Sequence, residues 1–147
     1  MPNNIKLTNM NMKILKGTVF GGIAFFLLGW LVWGILLMDY FSTGMNQCAQ
    51  RPEGEMVWWA IILSNLISAL FLTLVLKWSG AKTLVDGLKT GAIFGVLFAA
   101  SIDFSYWSMT TMISSMSTLV VDILVNTAFM AVVGLIIVLT WGKEKAS

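Results

Sequence analysis

Histidine is absent from this chain, and cysteine occurs once, as Cys48. The first absence removes serine–histidine dyads and histidine-based metal sites. The second excludes an intrachain disulfide. Proline occurs twice, at Pro2 and Pro52, both outside the long apolar runs, so no predicted helix carries an internal proline break. Charge is also scarce: 11% of the 147 residues are charged, against about 25% in an ordinary soluble domain. With 58% hydrophobic residues, a water-soluble fold could not cover its apolar surface. The chain reads as a multi-pass integral membrane protein.

Long apolar sequence is what the chain has in quantity. Four stretches reach the roughly 20 residues that cross a bilayer as a helix. They are 14–38, 56–76, 90–112 and 118–141. The expected fold is all-α, a single transmembrane domain over 1–147 built as a four-helix bundle. Lys6, Lys13, Lys16, Lys77, Lys82, Lys89, Lys143 and Lys145 fall on one side of this topology and only Arg51 on the other. The positive-inside rule then puts both termini in the cytoplasm. The net charge of +2 reflects that asymmetry, and no basic patch interleaved with aromatics points to nucleic acid. The first span is too long for a signal-peptide core and no small-residue cleavage site comes promptly after it, so it is read as retained. The stretch before Cys48, "MNQC", is a poor lipoprotein cleavage box.

An internal echo runs through the spans. "GTVFG" (17–21) resembles "GAIFG" (91–95), Trp33 then aligns with Trp107, and "ILSN" (62–65) resembles "ILVN" (123–126). Two hairpins of the same sense would form a parallel repeat about the membrane normal. Gly17/Gly21 and Gly91/Gly95/Ala99 are small residues at four-residue spacing, which lets helix backbones approach closely in lipid. These stripes are expected to pack the first span on the third, or on a second subunit.

Polar groups within the spans are few. Counting from the outer ends, Asn65 and Asp103 lie about nine residues in, roughly 13 Å deep by the helix rise. Asn126 lies roughly 12 Å deep and Asp122 roughly 6 Å. The only lysine, arginine or histidine within these bounds is Lys16, at the inner edge of the first span, so no cation stands at the depth of the acids. An aspartate at mid-membrane costs about 2.5–3.5 kcal/mol even on the milder insertion scale. Asp103, Asp122, Asn65 and Asn126 therefore form the candidate site, with three readings open. Asp103 is a neutral acid bonded to Asn or Ser, or a carboxylate holding a proton or cation in a wet cavity, or half of an ion pair with another chain. Paired-acid catalysis is disfavoured because the two aspartates sit at depths differing by about 7 Å.

A second constellation lies outside: Met38, Met45, Met56, Met109, Met112 and Met116 gather near Cys48, and soft sulfur ligands select Cu(I). Methionine is equally a filler of apolar gaps, and no metal or cofactor is assigned. Trp58, Trp59, Trp78 and Trp141 read as interfacial anchors. "GAKT" (80–83) lacks the glycine–lysine pair of a phosphate loop.

The segments "GGIAFFLLGWLVWGILLMDYF", "MVWWAIILSNL", "GAIFG", "IDFSYW" and "VVDILVN" together resemble a group of small four-helix bacterial membrane proteins classed as a domain of unknown function. The resemblance runs from Lys13 onward. It implies a multi-pass protein of the bacterial inner membrane, with an acid in the third helix (Asp103) and another in the fourth (Asp122), and brings no activity with it.

Three functions are carried forward: a non-enzymatic structural or accessory subunit, working as a homo-oligomer or in a larger membrane complex with lipid around it; a small proton- or cation-coupled carrier; and an outer-face soft-metal binder. The topology is directly testable. Cys48 should react with a membrane-impermeant thiol reagent in intact spheroplasts, and a cysteine introduced by Ser79→Cys in a Cys48→Ser background should not. Labelling confined to position 79 would reverse the orientation.

Overall fold

The computed structural model describes residues 2–142. Lys143 and Lys145, two of the expected cytoplasmic cations, lie outside the described residues, as does the side chain of Lys6. The described chain is all-helical. α1 runs Pro2–Leu31 and continues through a π-helical turn, Val32–Leu36; α2 is a short helix, Met38–Gly44; α3 spans Trp58–Trp78, α4 Leu84–Met109 and α5 Met116–Thr140. Four segments are long and apolar enough to cross a membrane: Thr8–Leu36, Trp58–Trp78, Leu84–Met109 and Met116–Thr140. Little of each is buried within the chain, and much of the rest is exposed Leu, Ile, Val and Phe. That is a surface suited to lipid.

Helix ends fall where local hydrogen bonding puts them, and this moves the third and fourth spans from their expected bounds. Thr83 caps α4: its Oγ1 accepts from the Asp86 amide at 3.1 Å, while the Asp86 carboxylate accepts from the Thr83 amide at 2.9 Å. This reciprocal capping box starts the helix at Leu84, six residues before the expected 90. At the far end Thr110 leaves the helical conformation, so α4 stops at Met109 and does not reach 112. Ser115 caps α5 by accepting from the Thr118 amide at 3.1 Å, which brings the start forward to Met116.

The helices pack as two antiparallel pairs, α1 with α3 and α4 with α5, and α5 also lies along α1. The core forms where they meet, around Ala24, Phe25, Leu72, Leu76, Phe129, Val133 and Ile137. Phe129 is its aromatic hub, edge-on to Phe25 at 5.4 Å and to Trp33 at 4.9 Å. At the lysine-bearing end the Trp141 indole donates to the Lys13 carbonyl at 3.0 Å, tying the start of the first span to the end of the last.

The small-residue stripes pack differently from expectation. Gly17 and Gly21 face Thr73 and Ala69 of α3 and Ile137 of α5; Gly91 and Gly95 face Met130 and the Asn126 carbonyl of α5. The α1 stripe does not meet the α4 stripe. Gly91 and Gly95 serve the α4–α5 hairpin, whose short 110–115 connection holds the two helices side by side, while Gly17 and Gly21 meet α3 and α5.

The α4–α5 contact is the closest. A Cβ on Gly87 would lie 2.7 Å from the Gly134 carbonyl oxygen, and one on Gly91 would overlap the Met130 carbonyl oxygen. Gly91→Ala should therefore destabilise the protein by about 1–3 kcal/mol, since a backbone atom cannot give way as a flexible side chain would. Gly29→Ala is the control, because its nearest neighbour is the Phe129 ring edge at 4.0 Å. Equal thermal stability of the two variants in detergent would show that α4 and α5 are not held this closely.

Candidate functional site

The buried residues of α4 are Gly87, Gly91, Gly95, Ala99 and Asp103. Every fourth residue turns to the same side of a helix, so the stripe that packs on α5 ends in an acid. The facing helix carries its own acid at the matching level. Asp103 lies six residues from the end of α4, and Asp122 six residues from the start of α5, which puts both roughly 9 Å in from the connection. The expected depth difference is corrected by the helix bounds: it came from ending α4 three residues late and starting α5 two residues late.

The two acids meet. Asp103 is 6% exposed and Asp122 8%, and their carboxyl groups are side-chain hydrogen-bonding partners. Trp33 is a second hydrogen-bonding partner of Asp122, and an indole N–H can only donate. Trp33 comes from the π-helical turn, where the Leu37 amide donates to the Val32 carbonyl five residues back at 2.9 Å. π-turns insert a residue into an α-helix and re-aim the side chains beyond it, often at functional positions. Here the turn lies where α1 supplies the indole.

Asp103 Oδ2 is fully enclosed, and among the described residues no N–H or O–H donates to it. Two ionised carboxylates in contact would repel strongly in this setting, and a hydrogen bond between carboxyls requires a proton on one of them. The Trp33 indole faces Asp122 from a third element. The site is a pair of buried aspartates on facing helices, with the Trp33 indole beside Asp122.

The asparagines do not join it through their amides. Asn126 Nδ2 donates to the Asp122 backbone carbonyl at 3.0 Å, and Asn65 Nδ2 to the Ile61 carbonyl at 2.8 Å, each one turn back on its own helix. Asn126 thus stays beside the pair. Asn65 lines a separate open cleft of about 660 Å³ with Gln50, Arg51, Met56, Val57, Ala60, Ile61 and Ser64. Of the four candidate residues the structure brings Asp103, Asp122 and Asn126 to one place and leaves Asn65 apart. Of the packing glycines, Gly91 and Gly95 hold the helices that bear the acids, and Gly17 and Gly21 hold α1. Of the methionines grouped with Cys48, Met109 ends α4, Met112 lies in the connection and Met116 begins α5.

Above the pair, α2 is docked on the α4–α5 connection. The Gly44 carbonyl accepts from the Ser114 amide at 3.0 Å and from its hydroxyl at 2.5 Å, and the Asn46 amide donates to the Met112 carbonyl at 2.8 Å. Phe41, Ile113 and Thr118 are buried beneath this contact. Thr118 is one turn from Asp122 on the same helix.

Comparison with protein-family models, with curated proteins and with solved structures yields no match to this chain. The class is set by the helices alone: an all-helical, multi-pass membrane protein with a buried aspartate pair.

The indole contact is open to test. Trp33→Phe keeps a ring against Phe129 and removes only the N–H. It should lower stability by about 1–2 kcal/mol in the native background. In an Asp122→Leu background the same change should cost much less, because its acceptor has gone. Equal costs in both backgrounds would mean the indole is not serving Asp122.

Proposed function

We propose that this protein is a non-enzymatic accessory or structural subunit of the bacterial inner membrane, with both termini cytoplasmic, in which the Asp103–Asp122 pair is a proton-locked clasp. One observation carries the reading: the acids turn on each other and on Trp33, at the junction of α4, α5 and the π-turn of α1. Their polarity is spent inside the protein. An acid pair of this kind joins helices that apolar lipid gives no hydrophobic reason to associate. The exposed apolar faces of α1, α3 and α4 leave room for further copies or other membrane subunits. The two antiparallel hairpins accord with a parallel repeat, in which the acids belong to the second half alone.

Paired carboxyls also occur in acid hydrolysis, and the matching depth removes the objection raised from sequence. The contact itself argues against that chemistry. A hydrolytic pair must hold a water between its carboxyls and admit a substrate carbonyl within hydrogen-bonding reach. Here the carboxyls touch each other and are almost wholly buried.

A second reading, proton transfer through the pair, has one observation in its favour: the enclosed Asp103 Oδ2 with no donor. A buried group that holds a proton can also release it if the helices open. One set of variants separates the two readings. For the clasp, infrared spectra at neutral pH should show a protonated carboxyl band that disappears in Asp103→Asn. That variant should assemble normally, since the amide still donates, while Asp103→Leu should lose about 1–3 kcal/mol of stability. Liposomes containing wild-type protein should then show no proton flux. A flux that Asp103→Asn abolishes without loss of fold would displace the clasp reading in favour of the carrier.

A further inference from the structure

The open cleft on α3 contains neither acid, and its chemistry is of another kind. Val57, Ala60, Ile61, Ser64 and Asn65 recur at three- and four-residue spacing, so they form one face of the first two turns of α3. That face is apolar at the top and polar at its foot, roughly 11 Å further in. Arg51 and Gln50 stand at the rim, and Met56 completes the wall.

Three features point to an occupant. Arg51 is exposed, and among the described residues it makes no ion pair. It is the one cation at the end of the molecule that carries residues 37–57; Lys13, Lys16, Lys77, Lys82 and Lys89 lie toward the other. Of the acids described at its own end, Asp39 and Glu55 are exposed and neither lines the cleft; the side chain of Glu53 lies outside the described residues. Ser64 makes no hydrogen bond among the described residues, although it sits within an apolar span; Asn65 uses one N–H on Ile61 and keeps its other donor and its carbonyl. Exposed polar groups at that depth are poorly matched by hydrocarbon alone. A molecule that suits all three levels has an anionic head, a polar backbone below it and a hydrocarbon tail. Arginine is the side chain best shaped for a phosphate, and its aliphatic stem lets the guanidinium reach down along an apolar wall.

We propose that this cleft binds an anionic phospholipid from the outer leaflet, the phosphodiester held by Arg51, the glycerol ester region reaching toward Ser64 and Asn65, and an acyl chain laid along α3. The site rests on the protein's being in a membrane and is independent of the role of the aspartate pair.

Native mass spectrometry of the detergent-purified protein, titrated separately with phosphatidylglycerol and phosphatidylcholine, resolves the first bound lipid. The wild type should bind phosphatidylglycerol more tightly than phosphatidylcholine. Arg51→Gln should weaken the first phosphatidylglycerol about tenfold, the scale of one charge-assisted contact. Arg51→Lys should restore part of it, and Lys82→Gln, at the other end, should change nothing. Ala60→Trp and Ser64→Leu, which fill the wall and the foot, should each reduce first-lipid binding with helical content unchanged. The proposal is overturned if Arg51→Gln and Ala60→Trp bind phosphatidylglycerol as the wild type does, or if Lys82→Gln alone removes it. It is equally overturned if a cysteine from Ile61→Cys, in a Cys48→Ser background, cross-links readily to its counterpart, which would give the cleft to a second copy of the chain.

Discussion

The approach of the α4 and α5 backbones governs the arrangement of this molecule. Lipid supplies no hydrophobic drive between helices, so association depends on close packing and on the polar groups that packing aligns. Gly87 against Gly134, Gly91 against Met130 and Gly95 against the Asn126 carbonyl fix the axial register of the hairpin. Once that register is set, the acids have no freedom to miss each other: they are on the packed faces and six residues from the ends that the short connection joins. α1 then lies along the other side of α5, with Gly17 and Gly21 on Ile137 and Phe25 on Phe129, and carries Trp33 to Asp122.

Much of this is legible in the sequence, because bilayer helices announce themselves by length and by lack of charge. The glycine stripes are also plain, and so is the oddity of two acids without a cation. Partner choice is less visible: periodicity shows that Gly91 and Gly95 face something, but not which helix. The pairing of the acids turns on helix ends, and those depend on single hydrogen bonds. The signals are present in "TLVD" (83–86), a threonine with an acid three residues later, and in Ser115 preceding the apolar run of α5. An error of two or three residues at each end is enough to separate the aspartates by a full helical turn. The π-turn leaves no such mark. "VWGIL" (32–36) has the composition of its neighbours, and its aim toward Asp122 depends on contacts made by distant residues.

The end that carries residues 37–57 obeys a different constraint. The 110–115 connection joins antiparallel helices and cannot satisfy all of its own peptide groups. The segment after α2 has the same need. They serve one another: the Gly44 carbonyl takes the Ser114 amide, the Asn46 amide gives to the Met112 carbonyl, and Met45 and Ile113 form an isolated antiparallel bridge. Gly44 is required for the approach, since a Cβ there would lie 2.7 Å from Thr118 Oγ1. The cover over the acids is thus built from backbone pairing rather than from a hydrophobic plug, and it is anchored to the α5 helix that carries Asp122.

The order of residues along the α4 stripe explains why the acids sit at that end and no other. From Gly87 through Gly91 and Gly95 to Ala99 and Asp103, side-chain volume rises toward the 110–115 connection. On α5 the facing positions run from Gly134 through Met130 to Asp122. Tight packing requires the gap between two helices to match the side chains that fill it, so the hairpin is close at its glycine end and must be wider where the aspartates meet. A wider gap in the membrane must be filled, and an apolar pair there would pack without fixing any geometry. Facing carboxyls can fill it with a directional bond, and Trp33 adds a second direction from a third element. Both bonds are worth more in low dielectric than in water, and leaving either unmade costs more there as well. The same polarity that makes Asp103 and Asp122 expensive to insert makes the closed hairpin hard to slip by even one turn. A shift of four residues would preserve a small-residue contact, but it would strand both acids in hydrocarbon.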